Sequence, residues 1–296
     1  MTTPQQPMHI EMFFDNDSST FSYLLVDNSS KVAALIDPVL DYDAAAGMVD
    51  TRSADQVLAY LRQHQLSLVW ILETHAHADH LSAAHYLRQK TGARVGIGEG
   101  IRKVQQTFKV VFNIGDEELT AKGDCFDHLF QDNETFQIGT LTGRVINTPG
   151  HTNDSVSYLI AGQLFVGDSL FMPDAGTARC DFPGGDAAVL YQSIQRLYQL
   201  PDETPMYMCH DYQPNGRELR YKTTVGEQKR QNIHVAAQTL QQDFVQKRTA
   251  RDQTLAVPKL IYPSVQVNIR GGQLPAKEGN GTAYIKIPLK GTGQLS

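Results

Sequence analysis

Thr74-His75-Ala76-His77-Ala78-Asp79-His80 is the stretch on which the fold of this chain turns. It follows Leu68-Val69-Trp70-Ile71-Leu72, a continuous apolar run of the kind a strand covered on both faces needs. It precedes Leu81-Ser82-Ala83-Ala84-His85-Tyr86-Leu87, which reads as a helix. Three imidazoles and a carboxylate therefore sit within six residues, between a buried strand and a helix. Both group types are ligands for divalent zinc or iron. A packed core does not hold so many polar groups without partners. Residue type, spacing and setting together point to a metal site.

Composition narrows the classes of function. A chain of 296 residues, 41% hydrophobic and 20% charged, suits one large or two small globular domains. The net charge is −6 and there is no basic tract, so neither nucleic acid nor an anionic membrane is an expected partner. Met1-Thr-Thr-Pro-Gln-Gln-Pro lacks the charged start and apolar core of a secretion signal. No apolar run approaches the roughly 20 residues of a membrane span. Cys125, Cys180 and Cys209 are odd in number, widely spaced and without a CxxC pair. Free thiols and a cytoplasmic location are expected.

Outward from the histidine-rich stretch, Phe21–Val26 and Lys31–Ile36 read as strands about a turn at Asp27–Ser30. The second ends at Asp37, a candidate partner for a metal ligand. Asp41 to Arg52 reads as loop or short helix, and Ser53 as the cap of a helix bearing Val57, Leu58 and Leu61. Arg94–Ile97 continues the alternation of strand and helix, and residues 114–132 read as a long connection. Thr135–Ile138 and Leu141–Ile146 are strands, the latter running into Asn147-Thr148-Pro149-Gly150-His151. A hairpin about Ala161-Gly162 ends at Gly167-Asp168. Asp186–Leu200 is a helix whose Val189, Leu190, Ile194 and Leu197 face the core, and Met206–Met208 is a strand ending at His210. Four strands thus end in a residue able to bind metal, at His75, His151, Asp168 and His210, where α/β architectures gather their sites. The expected division is a catalytic domain over 8–254 and a C-terminal arm over 255–296 packed on it. Strand pieces are expected in the arm at Val257–Ile261, Val265–Ile269 and Ala283–Pro288. An apolar arm edge makes a homodimer an expectation too.

These motifs resemble the metallo-β-lactamase superfamily. Residues 74–80 are similar to its HxHxDH signature, and Pro149-Gly150-His151, Gly167-Asp168 and His210 to its later ligand motifs. The resemblance spans about Phe13 to Asp252 and implies an αββα four-layer sandwich. Arg179-Cys180-Asp181-Phe182 and His210-Asp211-Tyr212 resemble segments of the persulfide dioxygenases within it. Ala175-Gly176-Thr177-Ala178 stands where that family commonly has Gly-Cys-Gly before the arginine.

That resemblance implies one iron(II) per chain held by His75, His151 and Asp168, with glutathione persulfide and O2 as substrates. Two imidazoles and a carboxylate are independently the donor set of non-haem iron oxygenases. His77, Asp79, His80 and His210 would then bond bound water and orient the ligands. An alternative keeps all these residues as ligands of two zinc ions, in a thioester hydrolase of glyoxalase II type. A metal-dependent sensor without turnover is a third possibility. Arg179 is the candidate anion clamp, with Asp181 fixing it. Tyr212 either meets the substrate or packs. Lys229 and Asn232 lie in a region that lines the substrate mouth in relatives. Cys180 reads as a buried thiol before a sulfur relay.

Overall fold

The computed structural model describes residues 8–289, so residues 290–296 of the arm lie outside it. In chain order the first half contains β1 (Met8–Asp15), β2 (Thr20–Asp27), β3 (Val32–Ile36), β4 (Val39–Asp43), β5 (Met48–Asp50), α1 (Arg52–Gln63), β6 (Ser67–Leu72), β7 (Leu81–Ser82), α2 (Ala84–Thr91), β8 (Arg94–Gly98), α3 (Ile101–Phe112) and β9 (His128–Phe130). The second contains β10 (Thr135–Ile138), β11 (Leu141–Asn147), β12 (Val156–Ile160), β13 (Gln163–Phe165), α4 (Ala187–Leu197), β14 (Pro205–Tyr207), β15 (Lys222–Thr224), α5 (Val225–Gln231), α6 (Gln241–Asp252) and α7 (Ile261–Asn268). One sheet has the order β1-β2-β3-β6-β8-β9 and the other β10-β11-β12-β13-β14-β15. In the first, β3, β6, β8 and β9 run parallel. In the second, only β13 and β14 do.

Side-chain alternation builds the layers. Phe21, Tyr23 and Leu25 of β2 and Ala34 and Ile36 of β3 face the second sheet's Ile138, Val145, Tyr158 and Phe165. Leu24, Val26, Ala33 and Leu35 face the other way, onto the buried stripe Ala54-Val57-Leu58-Leu61 of α1 and onto α2 and α3. On the outer face of the second sheet, Ile146 and Leu164 pack against Leu190, Ile194 and Leu197 of α4. Both faces of each sheet are therefore covered, and the fold is the expected αββα sandwich. Polar tips of aromatics tie the sheets together. Tyr158 Oη donates to the Glu73 carbonyl at 2.7 Å, Tyr23 Oη to Met208 at 2.6 Å and Trp70 Nε1 to Gln137 at 3.1 Å.

Several local expectations need correction. Residues 39–50 form the β4–β5 hairpin, because β4 also pairs with β7 and completes a small third sheet. Ser53 lies in the first turn of α1, and its N–H and hydroxyl donate to Asp41; Thr51 is the capping position. Val189 is exposed on α4, while its three companions are buried. The arm is not strand-like at Val265–Ile269. It is helical there as α7, and Lys277 with Ala283 forms only an isolated bridge. A short apolar run buried all round shows no period by which helix and strand could be told apart.

Asp27 joins the two sheets at one end. Its Oδ1 accepts from Ser29 N and Oγ, and its Oδ2 from Ser30 Oγ and from Thr140 N and Oγ1, at 2.6–2.9 Å. Gly139, at φ 58°, makes room for this carboxylate; a Cβ there would strike Ser30 and Asp27. Burial raises the Asp27 pKa, but the hydrogen bonds from the two serines and Thr140 outweigh it and hold it well below the usual range. A depressed folded pKa gives stability that is complete above the unfolded value, about 4, and is lost as pH falls toward the folded one. We expect Asp27→Asn to cost about 1–3 kcal/mol at neutral pH. The wild type's margin over it should shrink at pH 3, as read by urea unfolding at both pH values.

Candidate metal centre and its cavity

The ligand-bearing loops follow directly on strands. His75 comes after β6 of the first sheet, while His151, Asp168 and His210 come after β11, β13 and β14 of the second. The loop before His151 is set by Gly150, at φ 133°, which abuts the start of α4 so closely that a Cβ would collide with the Leu190 backbone. Its carbonyl accepts from Asp186 N at 2.8 Å.

His75, His151 and Asp168 bring one ligand atom each to within 4.8 Å of one another. Asp168 Oδ2 lies 3.8 Å from His75 Nε2 and 3.6 Å from His151 Nε2. Asp168 Oδ1 lies 3.2 Å from His210 Nε2, which is 3.4 Å from Asp79 Oδ2. All four histidines around this point are fixed through Nδ1. That of His151 donates to the Arg179 carbonyl at 2.7 Å, and that of His210 to the Ser19 carbonyl at 3.2 Å. Those of His75 and His80 meet Thr74 Oγ1 at 3.0 Å and Thr20 Oγ1 at 3.4 Å. Thr74 donates in turn through Oγ1 and N to Asp37 at 2.8 and 2.7 Å, so its hydroxyl accepts from His75. Asp37 thus stands behind His75, as a partner of a metal ligand would. The opposite nitrogens are left bare. His75, His80 and His210 Nε2, both ring nitrogens of His77 and Asp168 Oδ1 are buried without a well-formed hydrogen bond. Buried polar atoms are seldom left so. Their lone pairs fit a metal ion, and with this donor set the chain has a metal-binding site.

Charge follows from the same neighbours. Burial opposes protonation of His210, but Asp168 and Asp79 push its pKa up to about 9. Asp168 is held below the usual carboxylate range because His210 outweighs its burial. His77 packs on His75, with ring centres 4.0 Å apart, and turns its Nε2 to the acids behind the site, 3.0 Å from Asp37 Oδ1 and 3.8 Å from Glu73 Oε2. Burial opposes its protonation too, yet Asp37 raises it to about 10. Glu73 is raised to about 8 by burial and then by Asp37, and it accepts from Ser82. His77 also shares metal-sized clusters with Asp79 and His80, and with Cys209 and His210.

A cavity of about 540 Å³ opens beside the triad, lined by His151 and Asp168 and by Phe171, Phe182 and Tyr212. Tyr212 stacks on His210, with ring centres 5.7 Å apart. Arg179 lines the cavity but is occupied. Its Nε and Nη2 donate to Asp181 at 2.6 and 2.7 Å, and its Nη1 to the Ala256 carbonyl of the arm at 2.7 Å. Lys229 pairs with Asp202, and Asn232 is buried against Gly176 and Gln228; neither lines this cavity. Cys180 is buried with its N–H on Asp252, and its thiol is pushed up to about 12 by burial and by Asp252. An unactivated thiol is a poor relay.

The family description "Metallo-beta-lactamase superfamily" matches residues 15–210. This chain belongs to that superfamily. It is 48% identical, over 96% of its length, to the "Beta-lactamase hydrolase-like protein" of Xylella fastidiosa, and spans 65% of that longer protein. It is 48% identical to "Glyoxylase B2" of Dictyostelium discoideum, covering 95% of this chain and 96% of the other. Among solved structures, ETHE1 from Myxococcus xanthus aligns with a TM-score of 0.72 and 32% identity, over 90% of this chain and all of that one. The superfamily, the donor set and the cavity together make the chain a metal-binding enzyme.

Sequence reasoning missed Asn268. From α7 its Nδ2 donates to the carbonyls of His77 and His80, and its Oδ1 accepts from Ser82 N, each at 2.8 Å. The arm therefore clamps the metal loop. The only trace in the sequence is that Asn268, like Gln266, is a polar residue inside the run Val265-Gln266-Val267-Asn268-Ile269. We expect Asn268→Ala to weaken metal retention on the order of 10- to 100-fold. Chelator competition measures this, with the melting of metal-free protein as the control for a general loss of stability.

Proposed function

We propose that this protein is an iron(II)-dependent persulfide dioxygenase that turns glutathione persulfide, O2 and water into glutathione and sulfite. One observation carries the reading. His75, His151 and Asp168 form a three-donor cluster whose His151 and Asp168 line the cavity, while His77 sets its Nε2 against Asp37. Two imidazoles and one carboxylate with open positions are the donor set of mononuclear iron oxygenases. Iron(II) bound there would pass electrons from the persulfide sulfur, which is oxidised to sulfite, on to dioxygen, which redox-silent zinc does not do. The chain's own residues do the rest. Thr74 and the Arg179 carbonyl hold two ligand imidazoles in the tautomer that leaves Nε2 bare. Asp79 and His210 stand next to Asp168, within reach of a bound water. Phe171, Phe182 and Tyr212 form an apolar wall that limits water around the sulfur. Free thiols at Cys125, Cys180 and Cys209 accord with a reducing, cytoplasmic setting. Among the described residues no helix is long and apolar enough to cross a membrane.

The second reading is a two-zinc thioester hydrolase of glyoxalase II type. The names of the relatives favour it over the dioxygenase, since "Glyoxylase B2" and a "hydrolase-like protein" each match nearly the whole chain. The clusters of His77 with Asp79 and His80, and with His210, offer donors for a second ion. Both readings share a glutathione-bearing substrate and the same cavity.

Metal analysis of the protein as purified, with oxygen consumption measured after anaerobic iron loading, separates them. The proposal expects about one iron per chain and O2 uptake on addition of glutathione persulfide. Two zinc ions per chain, no uptake and hydrolysis of S-D-lactoylglutathione would establish the second reading instead. His75→Ala, His151→Ala and Asp168→Ala are each expected to abolish iron binding. A variant that kept full iron would remove that residue from the ligand set.

A further inference from the structure

We propose that Asp252 of α6 is a positioning residue for the metal, acting on His151 through a single peptide group. The inference rests on His151 as a metal ligand, which both readings above share, and not on which reaction follows. The peptide between Arg179 and Cys180 is bonded at both ends. Its carbonyl accepts from His151 Nδ1 at 2.7 Å, and its N–H donates to Asp252 Oδ2 at 2.9 Å. Arg248 donates through Nε and Nη2 to the other oxygen, Asp252 Oδ1, at 2.9 and 2.6 Å, which leaves Oδ2 to Cys180. The same guanidinium donates through Nη1 to the Thr177 carbonyl at 3.1 Å and fixes the chain just before the peptide. Arg248 and Asp252 are both buried. A chain of bonds thus runs from a buried carboxylate, across one amide, to the ring whose Nε2 lies beside Asp168.

A buried ion pair seldom adds stability over apolar residues of the same size, so holding a loop is a weak reason for one. What this pair supplies is polarity. An N–H that donates to a carboxylate polarises its amide and leaves the carbonyl oxygen a stronger acceptor. That oxygen pulls harder on the His151 Nδ1 proton, and the ring becomes a more basic ligand, as a direct carboxylate partner would make it. Because Arg248 neutralises Asp252, the effect reaches the metal along the bonds and not as net charge. His75 is arranged in the same way. Its Nδ1 donates to Thr74 Oγ1, which donates to Asp37 Oδ2. Two ligand imidazoles therefore each have a buried carboxylate one dipole away, across a hydroxyl for His75 and across a peptide for His151. More basic ligands favour the higher oxidation state of an iron ion held there.

Redox titration of the iron-loaded full-length chain tests this without turnover, together with proton NMR of the cobalt(II)-loaded chain. Asp252→Asn combined with Arg248→Gln keeps a neutral acceptor for the Cys180 N–H and leaves no buried charge unpaired. This double variant is expected to lose about tenfold of the site's preference for ferric over ferrous iron, a rise in potential of about 59 mV for one electron. Of the shifted, exchangeable N–H signals of the ligand imidazoles, that of His151 is expected to move and that of His75 to stay. Arg248→Lys keeps the Asp252 charge and should hold both readouts near the wild-type values. Arg248→Met with Asp252→Leu, apolar residues in place of the pair, carries the same expectation as the polar double variant and serves if that one does not fold. An unmoved potential and His151 signal in a folded double variant overturns the proposal, and so does an equal shift in Arg248→Lys. Failure of the dioxygenase reading shows elsewhere, as absent oxygen uptake in a protein whose potential still answers to Asp252.

Discussion

Buried imidazoles with one nitrogen bonded and the other bare are the constraint on which this structure depends. Taking so many polar rings out of water is costly unless each finds partners. The chain meets half of that demand itself. Thr74, Thr20, Ser19 and the Arg179 carbonyl occupy the Nδ1 side of four histidines. The unmet half gathers in neighbouring donor clusters between the two sheets, so the site is incomplete by construction and bound metal completes it. Both sheets are needed, since His75 and His80 hang from the first and His151, Asp168 and His210 from the second. Bonds such as Tyr158 to Glu73 and Tyr23 to Met208 hold the sheets in register beside the site.

Much of this was legible in the sequence because ligands of one kind are crowded at strand ends. His75, His77, Asp79 and His80 stand in one stretch, and His151, Asp168 and His210 each follow an apolar run. What was not legible involves contacts that residue identity does not encode. Arg179 orients His151 through its backbone carbonyl, a role any residue could fill, while its side chain goes to Asp181 and Ala256. Lys229 and Asn232 show that a resemblance locates a region and not a side chain's direction, since both are spent on local bonds. The helix α7 hid behind β-branched residues at alternate positions, and burial on every side overrode their preference.

The C-terminal segment bears on function twice. Ala256 accepts from Arg179 beside the cavity, and Asn268 clamps the loop that carries His77 and His80. Deeper in, Arg248 and Asp252 of α6 hold the strip from Thr177 to Cys180, whose Arg179 carbonyl orients His151. Ligand geometry is thus set from outside the residues 15–210 that match the superfamily. Gln105 of α3 adds a further tie, donating to the Ile269 carbonyl at 2.8 Å and accepting from Gly123.

The Asn268 clamp also has a temporal side. Asn268 follows His80 by 188 positions. At ordinary rates of ribosomal synthesis that is a delay of roughly 10–40 s. The nascent chain displays its histidine-rich loop long before the residue that holds that loop in place has been made. Both sheets can assemble during that interval, but metal captured then would sit in an unclamped loop, free to exchange. Secure loading belongs to a chain that already includes Asn268, and synthesis interrupted between the last strand, which ends at Thr224, and Asn268 would leave both sheets with a leaky centre.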